Sequence, residues 1–515
     1  MLLQVLGRVD ASLACYEGVL EASWDSVGVL NNYGSSLLLG GREREGTAIL
    51  GRVLSLAPDM LHALVNMAGH YQDEGLMDLA DTMLSRAMVA VPQSNVRVRR
   101  ALITSPTCRD WVHMVSDRLR MEARLRGLLT DTGPQLVQDS SLDRVPFYPV
   151  YNGFNDRVIM ELVGAAYRYR LEGIMAVAPH VTPDLEPLLL GLAAGRRKTR
   201  VAFISRYFGV YEPHGMLLDG IMAYLPRDQF YVIAMPIVGS DGKPLSYVIR
   251  DSVDEVVQLS LGHDHALAMV ERSKVDVVIF ADTLSEPMTH FLAQSRLAPV
   301  QMAFWGNPIT SASSQIDFFV SADAMEHPYR TRIPDGHDPY SEQVVLLGGQ
   351  GIWYFSAASV RASVMAADPA FAALLLVPPD TKLVTKETLD LPEGAVVFFC
   401  PQSVFKMHPH YDEVLAEIVA LSPLAYVVVT QGRRKLWSDT YHRRLRNAVN
   451  RRFVALRDSA GGEEHLAPHQ TRAALLDRLI SIPRTYAQFF DELLQGVADV
   501  MLHPFPFDGR YYVVG

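Results

Sequence analysis

The chain has 515 residues, 49% hydrophobic and 20% charged, so two to four domains with proper cores are expected. A formal net charge of -10 argues against a nucleic-acid binder, which would carry a basic face. Three scattered cysteines, Cys15, Cys108 and Cys400, exclude a disulfide framework and a cysteine-rich zinc site, and they suit a reducing compartment.

The first hundred residues carry an internal period. Gly7, Gly41 and Gly75 stand 34 residues apart, as do Ala14 and Ala48, Asn32 and Asn66, and Pro58 and Pro92. That is the length of a tetratricopeptide (TPR) repeat, in which glycine sits in the turn between paired helices and proline ends the second helix. Gly34, Tyr71 and the apolar set Leu64, Met67, Ala80, Leu84 and Ala87 fill out the pattern. Gly7 belongs to a turn that should follow a helix, so the chain is expected to open inside a repeat. No apolar run reaches the roughly 18 residues of a membrane span, and Pro378 and Pro379 stop the segment Ala372–Val377. Arg8 and Asp10 interrupt the N-terminal apolar stretch, which does not read as a leader. A soluble protein without membrane contact is expected.

A helical connector over about Arg109–Leu129 follows, then a polar loop through Gln138–Arg144 and a helix from Asp156 to about Met175. From Thr199 short β-branched runs alternate with amphipathic helices, the pattern of a parallel sheet with crossover helices. Strands are predicted at Arg200–Ser205, Phe230–Pro236, Glu255–Leu259, Val275–Ala281, Val300–Trp305 and Ile316–Val320, with helices at Met216–Leu225 and His265–Ser273. A loop-rich segment follows. The second unit repeats the plan, with strands at Ala395–Cys400, Ala425–Thr430, Leu479–Ile482 and Ala498–Leu502 and helices near Tyr411–Leu421, Tyr441–Val449 and Tyr486–Val497. The expected boundaries are repeats over 1–98, a helical linker over 99–198, a first lobe over 199–326, an intervening segment over 327–391 and a second lobe over 392–515. Four strands make a short doubly wound lobe, so the chain is expected to be an incomplete copy ending inside its second lobe.

Repeats, linker and two Rossmann-like lobes without a GxGxxG fingerprint fit a GT-B glycosyltransferase, and four local motifs sharpen this. Arg200–Ser205 with Phe208-Gly209 and then His214 resembles the opening of the catalytic region of O-GlcNAc transferases. Ala298-Pro299-Val300-Gln301, followed by Trp305-Gly306-Asn307-Pro308-Ile309-Thr310-Ser311, is similar to that family's proline-glutamine strand and glycine-proline-threonine loop. Cys400-Pro401-Gln402-Ser403-Val404-Phe405-Lys406 resembles its lysine motif, and Ala498–Leu502 with Pro504-Phe505-Pro506 resembles the strand leading to its nucleotide loop. The family includes plant-type protein O-fucosyltransferases.

Sugar transfer to a hydroxyl needs an acceptor in line with the anomeric carbon, charge stabilisation on a departing diphosphate, and a route for the proton. His214, after the first strand and at a helix start, could face the crevice as a neutral base, because the helix dipole disfavours imidazolium. A local hydrogen-bonding role is its alternative. Lys406 follows a second-lobe strand, where a compact ammonium suits a leaving diphosphate. The resemblance implies catalytic roles for both, with Gln402 and Ser403 as donor neighbours. Asp282 faces the crevice or caps the next segment; Asn307, Thr310 and Ser311 are candidates for an acceptor or sugar pocket. Arg484 looks like a basic residue near the nucleotide base, although Ala487 stands where the family has histidine. Gly509 opens the nucleotide loop, but the bulky Arg510–Gly515 replaces the family's polar, threonine-containing turn.

His263-Asp264-His265 and His408-Pro409-His410 lack helical ligand spacing, and no metal or other cofactor is expected. The resemblance implies inverting, metal-independent transfer of N-acetylglucosamine from UDP-GlcNAc to Ser/Thr hydroxyls of cytoplasmic or nuclear proteins held in the repeat groove. A GDP-fucose donor, or a non-catalytic scaffold, remains the alternative.

Overall fold

The computed structural model describes residues 9–22, 25–131, 136, 145–171, 174–182, 191, 195, 197–210, 212–237, 244–260, 262–326, 338–368, 385–483 and 496–504. Helices α1 (Val9–Ala22), α2 (Val27–Leu39), α3 (Glu43–Leu56), α4 (Leu61–Glu74) and α5 (Met77–Ala90) come first. α1, α3 and α5 begin 34 residues apart, as do α2 and α4, so the sequence period is a structural one. Small residues set the crossings. A Cβ on Gly34 would stand 2.9 Å from Leu50, and one on Gly46 would stand 2.7 Å from Leu38. Gly75 ends α4 in the left-handed region at φ 87°, where L side chains are strained. Leu30, Leu50, Val53, Ala63 and Met67 form one buried layer, and Leu64, Ala68, Ala80, Leu84 and Ala87 the next. Each buried leucine contributes about 1.5–3 kcal/mol.

The linker holds α6 (Val96–Ala101), α7 (Trp111–Thr130), a 3-10 turn (Tyr148–Asn152) and α8 (Arg157–Arg170). Asp110 caps α7 by accepting from the His113 amide at 2.7 Å. Val98, Leu125, Val163 and Tyr167 close over Phe291 of the first lobe.

In the first lobe β1 (Thr199–Ser205), β2 (Phe230–Pro236), β3 (Glu255–Val256), β4 (Val277–Phe280), β5 (Val300–Phe304), β6 (Phe318–Ala322) and β7 (Gln343–Leu347) form a parallel sheet. Its order is β3-β2-β1-β4-β5-β6-β7, so the winding reverses between β1 and β4. Helices α9 (Pro213–Tyr224), α10 (Tyr247–Ser252), α11 (His263–Ser273) and α12 (Pro287–Leu292) connect the strands. Here the structure departs from the sequence reading. The sheet continues past 326, because the segment read as loop-rich holds β7 and helix α13 (Ala357–Ala367). β7 is a short edge strand with one neighbour, β6; Val344–Leu347 is an apolar run of strand type, only part-covered because the sheet ends there.

In the second lobe β8 (Val396–Cys400), β9 (Ala425–Thr430), β10 (Leu479–Ile482) and β11 (Val500–Met501) pair in parallel in the order β10-β9-β8-β11. Its winding reverses between β8 and β11. Helices α14 (Pro409–Leu421), α15 (Lys435–Ala460) and α16 (Arg472–Asp477) lie among them. α15 runs 26 residues rather than the expected nine-residue core, Tyr441–Val449, because its charged ends dilute the apolar periodicity. The expected helix at Tyr486–Val497 lies largely outside the described residues. Among the described residues no helix is long and apolar enough to cross a membrane.

Candidate active site

Open parallel sheets bind ligands beyond the strand carboxyl ends, at the point where the winding reverses. Both lobes place a singled-out residue there. In the first, His214 follows β1 and lies in the first turn of α9, while Asp282 follows β4, the strand across the reversal. In the second, Lys406 ends a 3-10 turn, Val404–Lys406, directly after β8.

His214 is 5% exposed, and burial drives its pKa down to about 3 against a smaller opposing pull from the Gly306 backbone. Its ring stacks on Tyr207 at 5.2 Å, and a Cβ on Gly306 would stand 2.8 Å from the imidazole Cδ2. The imidazole is therefore neutral at pH 7, with desolvation as the main cause. A group so weakly basic suits accepting a hydrogen bond from a hydroxyl better than holding its proton.

Asp282 is fully buried; burial first, and Glu286 second, push its pKa up to about 8. Its Oδ2 accepts from the Arg206 amide at 3.1 Å, tying the end of β1 to the end of β4. Glu286 is raised as well, chiefly by burial, and caps α12 by accepting from the Thr289 amide at 2.8 Å. The folded protein keeps a proton on Asp282 that the unfolded chain releases near its ordinary value of 3.8. Stability from this site is thus intact below about pH 4 and declines as the pH rises toward about 8. Asp282→Asn keeps an acceptor for the Arg206 amide. It should melt above the wild type at pH 8 and level with it near pH 3.5; thermal unfolding that shows the same gap at both pH values would contradict this account.

The loop after β5 is built differently from the sequence expectation. Asn307 does not face an open pocket: its Oδ1 accepts from the Leu284 amide at 3.0 Å and its Nδ2 donates to Ser285 Oγ at 2.9 Å. Thr310 and Ser311 are 0% and 1% exposed and point at Glu342, which the sequence reading missed. Thr310 Oγ1 donates to Glu342 Oε2 at 2.6 Å, the Ser311 amide donates to Oε1 at 2.8 Å, and the Ser311 hydroxyl donates to Oε1 as well. One buried carboxylate therefore clamps the loop, and Ala312 follows at φ 50°, a strained value for a non-glycine residue. These polar side chains serve each other. Glu342→Gln would turn an amide donor toward existing donors and should cost about 1–3 kcal/mol by chemical denaturation. A stability within 0.5 kcal/mol of wild type, roughly the scatter of a neutral surface change, would refute the clamp.

Lys406 is 9% exposed, with Nζ 5.6 Å from the Tyr151 ring centroid. Its amide donates to Ser403 O at 2.9 Å, so Ser403 opens the turn. Gln402 is 1% exposed; its carbonyl accepts from Thr430 Oγ1 at 3.0 Å, and its Nε2 is buried without a hydrogen-bond partner among the described residues. The linker's 3-10 turn bridges the lobes here. Val150 shares a buried cluster with Leu284, Ile309 and Ala312 of the first lobe, while Tyr148 and Tyr151 meet Phe405 of the second at 5.7 and 5.1 Å. Arg484 and Gly509 lie outside the described residues. His408 and His410 pack on Trp111 at 5.5 and 4.9 Å, and among the described residues no group of three or more His, Cys, Asp or Glu could hold a metal.

Helical repeats of 34 residues followed by two doubly wound parallel lobes define the fold class: a TPR domain joined to a GT-B-type pair of Rossmann-like lobes. Among solved structures, a mutant of the Thermobaculum terrenum O-GlcNAc transferase has this fold. It superposes over 98% of this chain and 80% of its own with a TM-score of 0.55, at 16% sequence identity. A putative UDP-N-acetylglucosamine 2-epimerase from Listeria monocytogenes aligns over 58% of this chain and 73% of its own, at 14% identity and a TM-score of 0.24, too low to carry an argument. No protein-family model and no curated protein sequence matches the chain.

Proposed function

We propose that the chain is a glycosyltransferase of the protein O-GlcNAc transferase type. It moves N-acetylglucosamine from UDP-GlcNAc to Ser/Thr hydroxyls with inversion and without a metal or other cofactor. The observation that carries this reading is the pairing of His214 and Lys406, each beyond the first strand of its lobe and beside that lobe's winding reversal. The fold shared with the Thermobaculum enzyme and the ordered motifs support it.

In this reading the acceptor oxygen attacks the anomeric carbon as the bond to the diphosphate breaks, and the electron pair leaves with the phosphate. Lys406 neutralises that charge, a task suited to a compact ammonium in a poorly hydrated turn. Neutral His214, whose two ring nitrogens are buried in the free protein, is uncovered when substrate binds and then accepts a hydrogen bond from the acceptor hydroxyl. Gln402 and Ser403 lie beside the donor, with Arg484 and Gly509 assigned to the same nucleotide. Asp282 and the loop Asn307–Ser311 shape the wall behind the sugar rather than touching it. The repeats present acceptor proteins of the cytoplasm or nucleus. Calorimetric titration with UDP and GDP tests the donor site: UDP should bind and Lys406→Met should weaken it. A wild-type protein that binds GDP alone would shift the donor to GDP-fucose, and one that binds neither would leave a TPR scaffold.

A further inference from the structure

The repeats reach the lysine turn through the start of α15. Arg434, the residue before that helix, forms an ion pair with Glu43 at the start of α3 and another with Glu74 at the end of α4, Nε to Oε1 2.9 Å. These three side chains are 21%, 36% and 19% exposed, so the contact is partly shielded from water. One turn further on, the Trp437 ring lies against the inter-helix turn of the repeat: a Cβ on Gly75 would stand 3.3 Å from it. Gly75 is thus required twice, by its left-handed backbone and by the indole.

From Trp437 the contacts run straight to the lysine. Its ring meets Phe405 edge-on at 6.5 Å and Tyr148 at 5.9 Å. Gly432, just before Arg434, lies against both Val404 and Trp437, where a Cβ would stand 2.7 Å from Val404 Cγ2 and 3.1 Å from the Trp437 Cβ. Val404, Phe405 and Lys406 are the 3-10 turn itself. Phe405 in turn packs on Tyr151, the ring beneath the Lys406 ammonium.

We infer that Arg434 and Trp437 are positioning residues through which the repeat domain holds the Lys406 turn in its donor-competent geometry. The functional part of this inference rests on the reading of Lys406 as the diphosphate-binding residue. The repeats then belong to the donor site as well as to acceptor capture, and a change in the repeat stack at Glu43, Glu74 or Gly75 alters nucleotide affinity.

The test is hydrogen exchange at the Lys406 and Met407 amides, which donate to Ser403 O and Val404 O at 2.9 and 3.2 Å, combined with UDP and GDP titrations. Arg434→Glu should speed exchange at these two amides by about tenfold and leave the β9 amides protected, as expected for a local opening. It should weaken nucleotide binding about fivefold, and adding Glu74→Arg should bring both readouts back toward wild type. Should Arg434→Glu also loosen β9, Trp437→Phe serves in its place, with a change of about threefold at the same two amides. Unchanged exchange at Lys406 and Met407 in both variants overturns the coupling, whatever the nucleotide does. Faster exchange with unaltered UDP and GDP binding supports the coupling and overturns the donor role of Lys406.

Discussion

Lys406→Met should lower turnover by about 10²- to 10³-fold, the cost of removing one preorganised group that stabilises charge in a transition state. Methionine keeps the length and apolar stem of the side chain, so its packing over Tyr151 survives and melting changes little. The loss falls on the ammonium alone. Lys406 is 9% exposed, on a turn fixed by backbone hydrogen bonds directly after β8, where a cation meets little competing water. Lys406→Arg should not rescue turnover, because the wider guanidinium spreads its charge over a planar fork where a compact point charge is needed. Kinetics with saturating donor separate the two effects. Full turnover in Lys406→Met would remove the leaving-group assignment.

Arg444→Met should destabilise the protein by about 3–5 kcal/mol, since it strips the partner from a buried carboxylate. Arg444 and Asp412 are 4% and 0% exposed at their side chains, and Nη2 reaches Asp412 Oδ1 at 3.2 Å while Nε donates to Oδ2. The same guanidinium donates to the carbonyl of Met407, next to the lysine, and to that of Cys108 in the linker at 2.9 Å. Burial outweighs the guanidinium and pushes Asp412 above its ordinary value, while the two-pronged Arg444 contact is what favours its charged form. The double variant Arg444→Met with Asp412→Leu should recover most of the loss, because removing both charges leaves no unpaired ion. Urea unfolding of the two variants checks this, and equal destabilisation in both would contradict the pair as its source.

Local features of this molecule were legible in the sequence; long-range ones were not. A 34-residue period places α1, α3 and α5 because each repeat makes the same contacts with the next, so sequence spacing and structure share one register. Most strands were legible because a parallel strand covered on both faces is a short β-branched run. β7 carries the same kind of run, Val344–Leu347, but it stands alone in a stretch otherwise rich in loop residues, and α15 is legible only through its apolar middle. The turn Val404–Lys406 follows its strand directly, so the motif located it.

The polar loop Asn307–Ser311 misled for a different reason. Side chains that bind a ligand and side chains that bind each other have the same composition, and only the position of Glu342, 32 residues beyond Thr310, separates the two cases. Arg444 and Arg434 left no sequence signal at all. Their partners Cys108 and Glu43 stand 336 and 391 residues away, in other domains. The depth of burial of His214 is likewise a tertiary property. The sequence placed the imidazole at a helix start and predicted its neutrality, but desolvation rather than the helix is the larger cause, and it also removes most of its basicity.

In the function proposed above, this TPR and GT-B fold transfers a sugar from a nucleotide to a protein hydroxyl. The direct measurement is incubation of the chain with a Ser/Thr-containing acceptor protein and radiolabelled UDP-GlcNAc or GDP-fucose, with and without EDTA. Label should appear on Ser or Thr from UDP-GlcNAc, undiminished by EDTA and about 10²- to 10³-fold slower to accumulate in Lys406→Met. Absence of label from both donors, in a protein that binds UDP by calorimetry, would contradict this function.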